Sequence, residues 1–215
     1  MKHYNICGIV CTDKEQNISK LNSSNKEVPV GLGLESITSL DQTFLISSIK
    51  DIRSKYNHIT FIIGSKTLED IKKAKGLCDV ITELNYANII VINSDTIKHS
   101  VFSYSLSHNE YNETIVSETY YDKNDKRDRQ NELQRMLTKV KFESSTFFED
   151  NHAFIVLGGK YTYELFRGQY DKVYQSTITN NINNAFNPVD LGVSIYTSTN
   201  IYEDDDIKLT KYYRV

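Results

Sequence analysis

The sequence predicts an α/β fold built on a mixed, mainly parallel central sheet flanked by helices, and three observations carry that expectation. Short, predominantly apolar runs recur at residues 4–11, 59–63, 88–92 and 153–157. Strands of a parallel sheet read this way because helices cover both of their faces. Between the runs lie helical stripes, such as Leu45, Ile49, Ile52 and Tyr56, whose spacing puts them on one side of a helix. Two of the runs end on glycine, at Gly64 and at Gly158-Gly159, which is how a buried strand leaves a sheet.

Taken in order, residues 4–11 form the first strand, residues 12–17 a polar turn, and Ile18 resumes the apolar pattern. Residues 19–30 are polar and unpatterned, hence a loop, and Gly31-Leu32-Gly33 loosens the approach to Ser39-Leu40-Asp41. The helix that follows buries the Leu45 stripe, widened by Phe44 and Ile46. Strand 59–63 leads to Gly64. Thr67 with Asp70 three residues on resembles a capping box, and Leu68, Ile71 and Ala74 follow as the buried side of a second helix. Residues 88–92 are a third strand. Residues 93–125 break the rhythm: Phe102, Tyr104 and Leu106 alternate, 108–112 turn, and Thr114-Ile115-Val116 resume. That pattern is an inserted β-hairpin.

The charged run 122–129 is a solvated lead into a helix with a Leu133, Met136, Leu137 and Val140 stripe. Beyond Gly158-Gly159 come a short helix, a strand over 171–178, and a closing strand over 207–215 expected to pair antiparallel at an edge. The acidic turn 203–206 before it reads as solvated. No repeat or linker divides the 215 residues, so the chain is one domain, residues 1–215.

Composition narrows the function. The net charge of −3 offers nothing to a nucleic-acid backbone or an acidic membrane, and no apolar run approaches membrane-helix length. The first residues have no signal-peptide layout. Three cysteines, Cys7, Cys11 and Cys78, without Cys-x-x-Cys spacing point to a reducing, cytoplasmic setting rather than a disulfide framework. Cys7 and Cys11 share a strand face and read as small core residues. The five histidines are scattered and imply no metal site. Fifteen tyrosines and no tryptophan make tyrosine the large amphipathic side chain of this core. The double glycine after an apolar strand is the main chemical signal. With no Cβ, such a corner lets main-chain N–H groups approach a dinucleotide pyrophosphate, although tight helix–sheet packing calls for the same residues.

The ordered series of blocks resembles the dihydrofolate reductase family along nearly the whole chain. It comprises Ile6-Cys7-Gly8-Ile9-Val10 with Asp13 and Ile18, Ser39-Leu40-Asp41, and Ile62-Ile63-Gly64-Ser65-Lys66-Thr67-Leu68-Glu69-Asp70-Ile71. It continues through Asn88-Ile-Ile-Val91, Ile155-Val-Leu-Gly-Gly159 with Tyr163 and Phe166, Lys172-Val-Tyr-Gln-Ser-Thr-Ile178, and Asn184-Ala-Phe-Asn-Pro188. The resemblance implies reduction of dihydrofolate with NADPH as cofactor.

It also implies a carboxylate in an apolar pocket that binds the pteridine and helps protonate it. By position that residue is Asp41, with Glu35 the alternative if the loop is aligned one step earlier; Asp41 is also a good capping type for the helix. Cys7, Gly8, Ile9, Leu45 and Ser176 are implied on the substrate side. Ile18, Gly64, Lys66, Thr67, Gly158, Gly159 and Tyr163 are implied on the cofactor side, with the Gly158–Gly159 peptide cis.

This chain departs from the family pattern at several points. Leu34-Glu35-Ser36 stands for Leu-Pro-Trp, and Ser65 for the arginine that holds the 2′-phosphate, leaving Lys66 the nearest cation. Asn187 replaces an aromatic, and Tyr86-Ala87 stands where an arginine clamps the folate glutamate. A catalytically silent module of the same fold, with the 93–125 insertion as a protein contact surface, is therefore the second reading. A pyrimidine-ribose reductase of riboflavin synthesis is a third, which the Gly64–Ile71 block fits less well. Without the clamp arginine, affinity for polyglutamated folates should be weak. Tight binding in a titration would contradict this reading of residues 72–87.

Overall fold

A computed structural model of the protein describes residues 4–18, 39–65, 88–93, 96–105, 110–120, 125–144, 151–179 and 188–215. Its strands are β1 (Asn5–Asp13), β2 (His58–Gly64), β3 (Asn88–Ile92), β4 (Thr96–Ser105), β5 (Glu110–Tyr120), β6 (His152–Val156), β7 (Lys172–Ile178), β8 (Thr197–Glu203) and β9 (Ile207–Tyr213). Its helices are α1 (Ser39–Arg53), α2 (Lys126–Ser144) and α3 (Lys160–Leu165). The strands make one sheet in the order β5-β4-β3-β2-β6-β1-β7-β9-β8. The five central strands run parallel, and each flank is an antiparallel hairpin.

The apolar runs became central strands because each can bury both faces. Odd residues of β1 and β6, such as Cys7, Ile9 and Ile155, join Phe61, Ile63 and Tyr174 under the Leu45, Ile49 and Ile52 stripe of α1. Even residues, such as Ile6, Val10, Phe154 and Val156, pack beneath α2 through Leu133, Met136, Leu137 and Val140, and beneath α3 through Tyr163 and Phe166. At roughly 1.5–3 kcal/mol per fully buried aliphatic or aromatic side chain, these two layers are the principal source of stability. No helix among the described residues is long and apolar enough to cross a membrane.

Polar anchors fix the lower end of α1. Asp51 accepts hydrogen bonds from Lys55, from Lys211 of β9 and from the Tyr174 hydroxyl. Burial alone would raise the Asp51 carboxyl, but these three donors outweigh it and hold the carboxyl well below the usual range.

The inserted hairpin is present within the expected 93–125 span, as β4 and β5, pairing through β4 with β3; residues 110–112, expected in its turn, already belong to β5. The expected capping box at Thr67 and the helix after it lie outside the described residues. The closing strand is antiparallel but is not the edge: β8 lies outside β9. All seven residues of β8 are exposed, so it has no buried side to print an alternating pattern. The acidic turn closes this hairpin, with one Asp204 carboxylate oxygen accepting the N–H groups of Asp206 and Ile207.

His152, at the start of β6, has no exposed surface. Its Nε2 lies 2.9 Å from the Thr60 hydroxyl, and its Nδ1 has no hydrogen-bond partner. Burial, then the neighbouring His58 and Lys141, lower its pKa to about 4. The unfolded chain therefore takes up this proton first, near the ordinary histidine value. The stabilisation is complete above about pH 6.5 and is lost as the pH falls toward 4. We expect the urea unfolding free energy to drop by about 2 kcal/mol from pH 7 to pH 5, and His152→Gln to flatten that slope. An unchanged slope in the variant would assign the acid sensitivity elsewhere.

Candidate active site

Strand β1 changes partners along its length. It pairs with β6 only as far as Gly8 opposite Val156, yet with β7 it continues to Asp13 opposite Ile178. Beyond Gly8 one hydrogen-bonding edge of β1 is released, and the sheet splits between the carboxyl ends of β1 and β6. Main-chain groups alternate sides along a strand. On the β7 side Ile6 donates to the Asp171 carboxylate at 2.7 Å and accepts from the Asp171 N–H at 2.8 Å. Ile9 turns its carbonyl the other way, into the split, and accepts the Tyr163 hydroxyl at 2.6 Å. The same alternation directs the main chain of Cys11 to that edge.

The split lies where the topology reverses. After β1 the chain crosses one face of the sheet through α1 to β2, on the far side of β6. After β6 it crosses the opposite face through α3 to β7, on the far side of β1. Two adjacent parallel strands whose crossovers diverge in this way leave a crevice at their carboxyl ends, the place where open α/β sheets take ligands.

One wall of the crevice is Gly158-Gly159. The Gly158 carbonyl still accepts from the Gly64 N–H at 3.1 Å, so β6 keeps hold of β2 while leaving β1. The peptide expected to be cis is trans; the corner is turned instead by φ values of 146° and 79° at Gly158 and Gly159. Glycine takes such angles without strain; Gly158 is buried and Gly159 half-buried. Gly159 caps α3, with no side-chain hydrogen bond there.

The roof is the turn after β1. Asp13 accepts the N–H groups of Glu15 and Asn17 at 2.9 and 2.8 Å, and its own N–H reaches the Asn17 carbonyl. Gln16 takes φ 66°. The chain then doubles back so that Ile18 bridges Thr12, while Asn17 bridges Pro188.

The residues implied by the family resemblance divide between the two faces that meet at the split. On the α1 face, Cys7, Ile9 and Leu45 share one apolar cluster, and Ser176 is buried at the level of Cys11. The helix begins at Ser39, which places Asp41 within its first turn rather than at the cap, four residues before Leu45 on the same stripe. The Asp41 side chain lies outside the described residues, as do Glu35, Lys66 and Thr67. On the α3 face, Ile18 and Tyr163 share the second cluster, and Gly64 joins the glycine corner. Gly8 serves packing, since a Cβ there would lie 3.0 Å from the Tyr170 ring. Among the described residues no group of His, Cys, Asp and Glu is placed to hold a metal.

Residue-level reasoning missed the polar layer beneath the turn. Gln175 is 1% exposed, and its amide donates to the Thr12 hydroxyl and to the Gln16 side-chain oxygen, both at 2.8 Å. A glutamine inside an otherwise apolar strand was the available signal.

Tyr163 ties the site to the core. Burial, then the Cys11 thiol, push its hydroxyl well above the usual tyrosine range, so it remains a donor to Ile9. Tyr163→Phe should fold and lose about 1–2 kcal/mol in urea unfolding, since the Ile9 carbonyl is left buried without its partner. A variant as stable as the parent would show that water satisfies that carbonyl.

No family model matches the chain, and no curated protein matches it. Among solved structures it is similar to a dihydrofolate reductase from Enterococcus faecalis complexed with NADP(H) and RAB-propyl, with 14% identity over 98% of this chain and 96% of that one and a TM-score of 0.45.

Proposed function

We propose that this chain is a divergent reductase that binds NADPH at the split between β1 and β6 and reduces dihydrofolate. The observation that carries the reading is the Gly158-Gly159 corner at the topological switch point, where β1 ends its pairing with β6 while continuing along β7. The residues present suit a dinucleotide. A glycine corner lets a pyrophosphate approach main chain, the Gly64 N–H bonds the Gly158 carbonyl beside it, and Ile18 packs in the apolar cluster of the same face. When bound, the nucleotide supplies the hydride.

The chain's own residues do the rest. Tyr163 holds the Ile9 carbonyl and so fixes the edge of β1. Cys7, Ile9 and Leu45 supply an apolar wall on the α1 face that suits a flat heteroaromatic ring and excludes water. Asp41, one turn above Leu45, is the carboxylate that holds the ring and passes it a proton; apolar surroundings raise such a pKa toward the working range.

The β4–β5 hairpin supports a second reading, a binding module without turnover. It extends the sheet by two strands and ends on the eleven-residue β5, an edge able to pair with another chain.

Substitution of Asp41 separates the two. Asp41→Asn should leave the fold and NADPH-induced quenching of tyrosine fluorescence intact while lowering turnover of dihydrofolate, followed at 340 nm, by two or more orders of magnitude. Equal turnover in parent and variant would remove Asp41 from the chemistry. Absence of NADPH binding by the parent would reject the nucleotide reading.

A further inference from the structure

We infer that Arg129 of α2 is the cation that meets the phosphate on the adenosine ribose of the nucleotide and so sets a preference for NADPH over NADH, an inference that rests on the nucleotide reading above. The charged run that opens α2 is not used by the core. The apolar stripe of this helix, Leu133, Met136, Leu137 and Val140, packs on the α3 face of the sheet. Continued one turn toward the amino end, the stripe arrives at Arg129, a cation where a further apolar residue would extend the core. Arg129 is half-buried, whereas Arg127 and Gln130 are exposed. The Asp125 carboxylate accepts the N–H groups of Arg127 and Asp128 at 2.8 and 3.1 Å. That cap fixes where the helix starts, and hence the direction in which Arg129 leaves it.

The side chain ends beside the start of α3. The Arg129 guanidinium carbon lies 5.0 Å from the centre of the Tyr161 ring, and Tyr161 is the second residue of α3, two beyond the Gly159 cap. That ring is 42% exposed, and a cation over a ring that water reaches contributes little stability. Lys160, the neighbouring cation on α3, lies 3.7 Å from Glu164 and is turned along its own helix. Arg129 is thus a charge brought from a second helix to within two residues of the glycine corner. Main chain at that corner suits the pyrophosphate, which NADH and NADPH share. The two nucleotides differ by one phosphate monoester, a group carrying about −1.5 to −2 charges at neutral pH. Such a group calls for a side-chain cation, and the planar fork of arginine, steadied against an aromatic ring, matches its oxygens.

Titration of the parent with NADPH and with NADH, followed by quenching of tyrosine fluorescence, should show tighter binding of NADPH. Arg129→Met keeps the aliphatic stem and removes the charge. It should weaken NADPH binding roughly ten- to a hundredfold, the scale of a charge-assisted contact, and leave NADH within about twofold of the parent. Arg129→Lys, which keeps the charge without the fork, should weaken NADPH by a smaller factor at unchanged NADH affinity, and carries the test if the methionine variant does not fold. Arg127→Met removes a cation from the exposed flank of the same turn and should change neither affinity in physiological salt. Equal weakening of both nucleotides in the Arg129 variants would make the residue a tie between α2 and α3 and overturn the inference. Parent-like NADPH binding in Arg129→Met, or an equal loss in Arg127→Met, would overturn it as well. A parent that binds NADH as tightly as NADPH would overturn it while leaving the dinucleotide site intact, and a parent that binds neither would overturn both readings.

Discussion

The structure depends on one constraint: a strand has two hydrogen-bonding edges, and β1 gives up one of them half-way. Up to Gly8 it is held by β6; beyond that point β7 continues on one side, and on the other the Tyr163 hydroxyl and the returning chain at Asn17 and Ile18 take over. The release follows from the course of β6, which must turn at Gly158 to enter α3 and yet remains bonded to β2 through the Gly158 carbonyl. A sheet interior is an unfavourable place for unpaired main chain. Ending the ladder there needs substitutes, and the surrounding sequence supplies them. The Tyr163 hydroxyl takes Ile9, and the returning chain at Asn17 and Ile18 covers Asp13 and Thr12.

Tyrosine does in this core what tryptophan does elsewhere, with a hydroxyl aimed at main chain. Tyr163 donates to Ile9, Tyr170 to the Tyr163 carbonyl at 2.8 Å, and Tyr196 to the Tyr170 carbonyl at 2.5 Å. The series runs from the segment before β8, through the loop after α3 and α3 itself, to the middle of β1. Each ring adds apolar area while its hydroxyl donates to a main-chain carbonyl; the Tyr163 carbonyl also takes the Phe166 N–H. Burial raises the pKa of all three hydroxyls, which keeps them as donors. Gly8 fits into the same arrangement, because its missing Cβ is the space that the Tyr170 ring occupies.

The central strands, α1, the Leu133 stripe and the short helix after the double glycine were legible in the sequence, because burying two faces or one helical stripe leaves a periodic trace. So was the inserted hairpin. Strand β8 was not, since a strand with every residue exposed carries no such trace, and β9 was in consequence placed at an edge it does not occupy. At the site, the glycine corner could be read from composition, but its geometry could not: a cis peptide and two positive φ angles both call for glycine. Gly8 shows the same ambiguity, since absence of a side chain looks alike whether the space belongs to a ligand or to Tyr170, whose ring lies 3.0 Å from where a Cβ would stand. The Gln175 layer was hidden by distance, because its partners lie 159 and 163 residues away along the chain.

In the reading proposed above, a division of labour between the two faces brings two different molecules together at the end of the β1–β6 pairing. On the α1 side the layer is apolar up to Leu45, with a carboxylate position one turn higher on the same stripe. On the α3 side it is main chain, glycine and amide, suited to a long polar ligand lying along strand ends. The two environments are separated by a single strand, and its pairing with β6 ends where they meet. In the proposed reading, a ring held on one side and a cofactor held on the other come together at that point, where the Tyr163 hydroxyl and the returning chain have replaced β6.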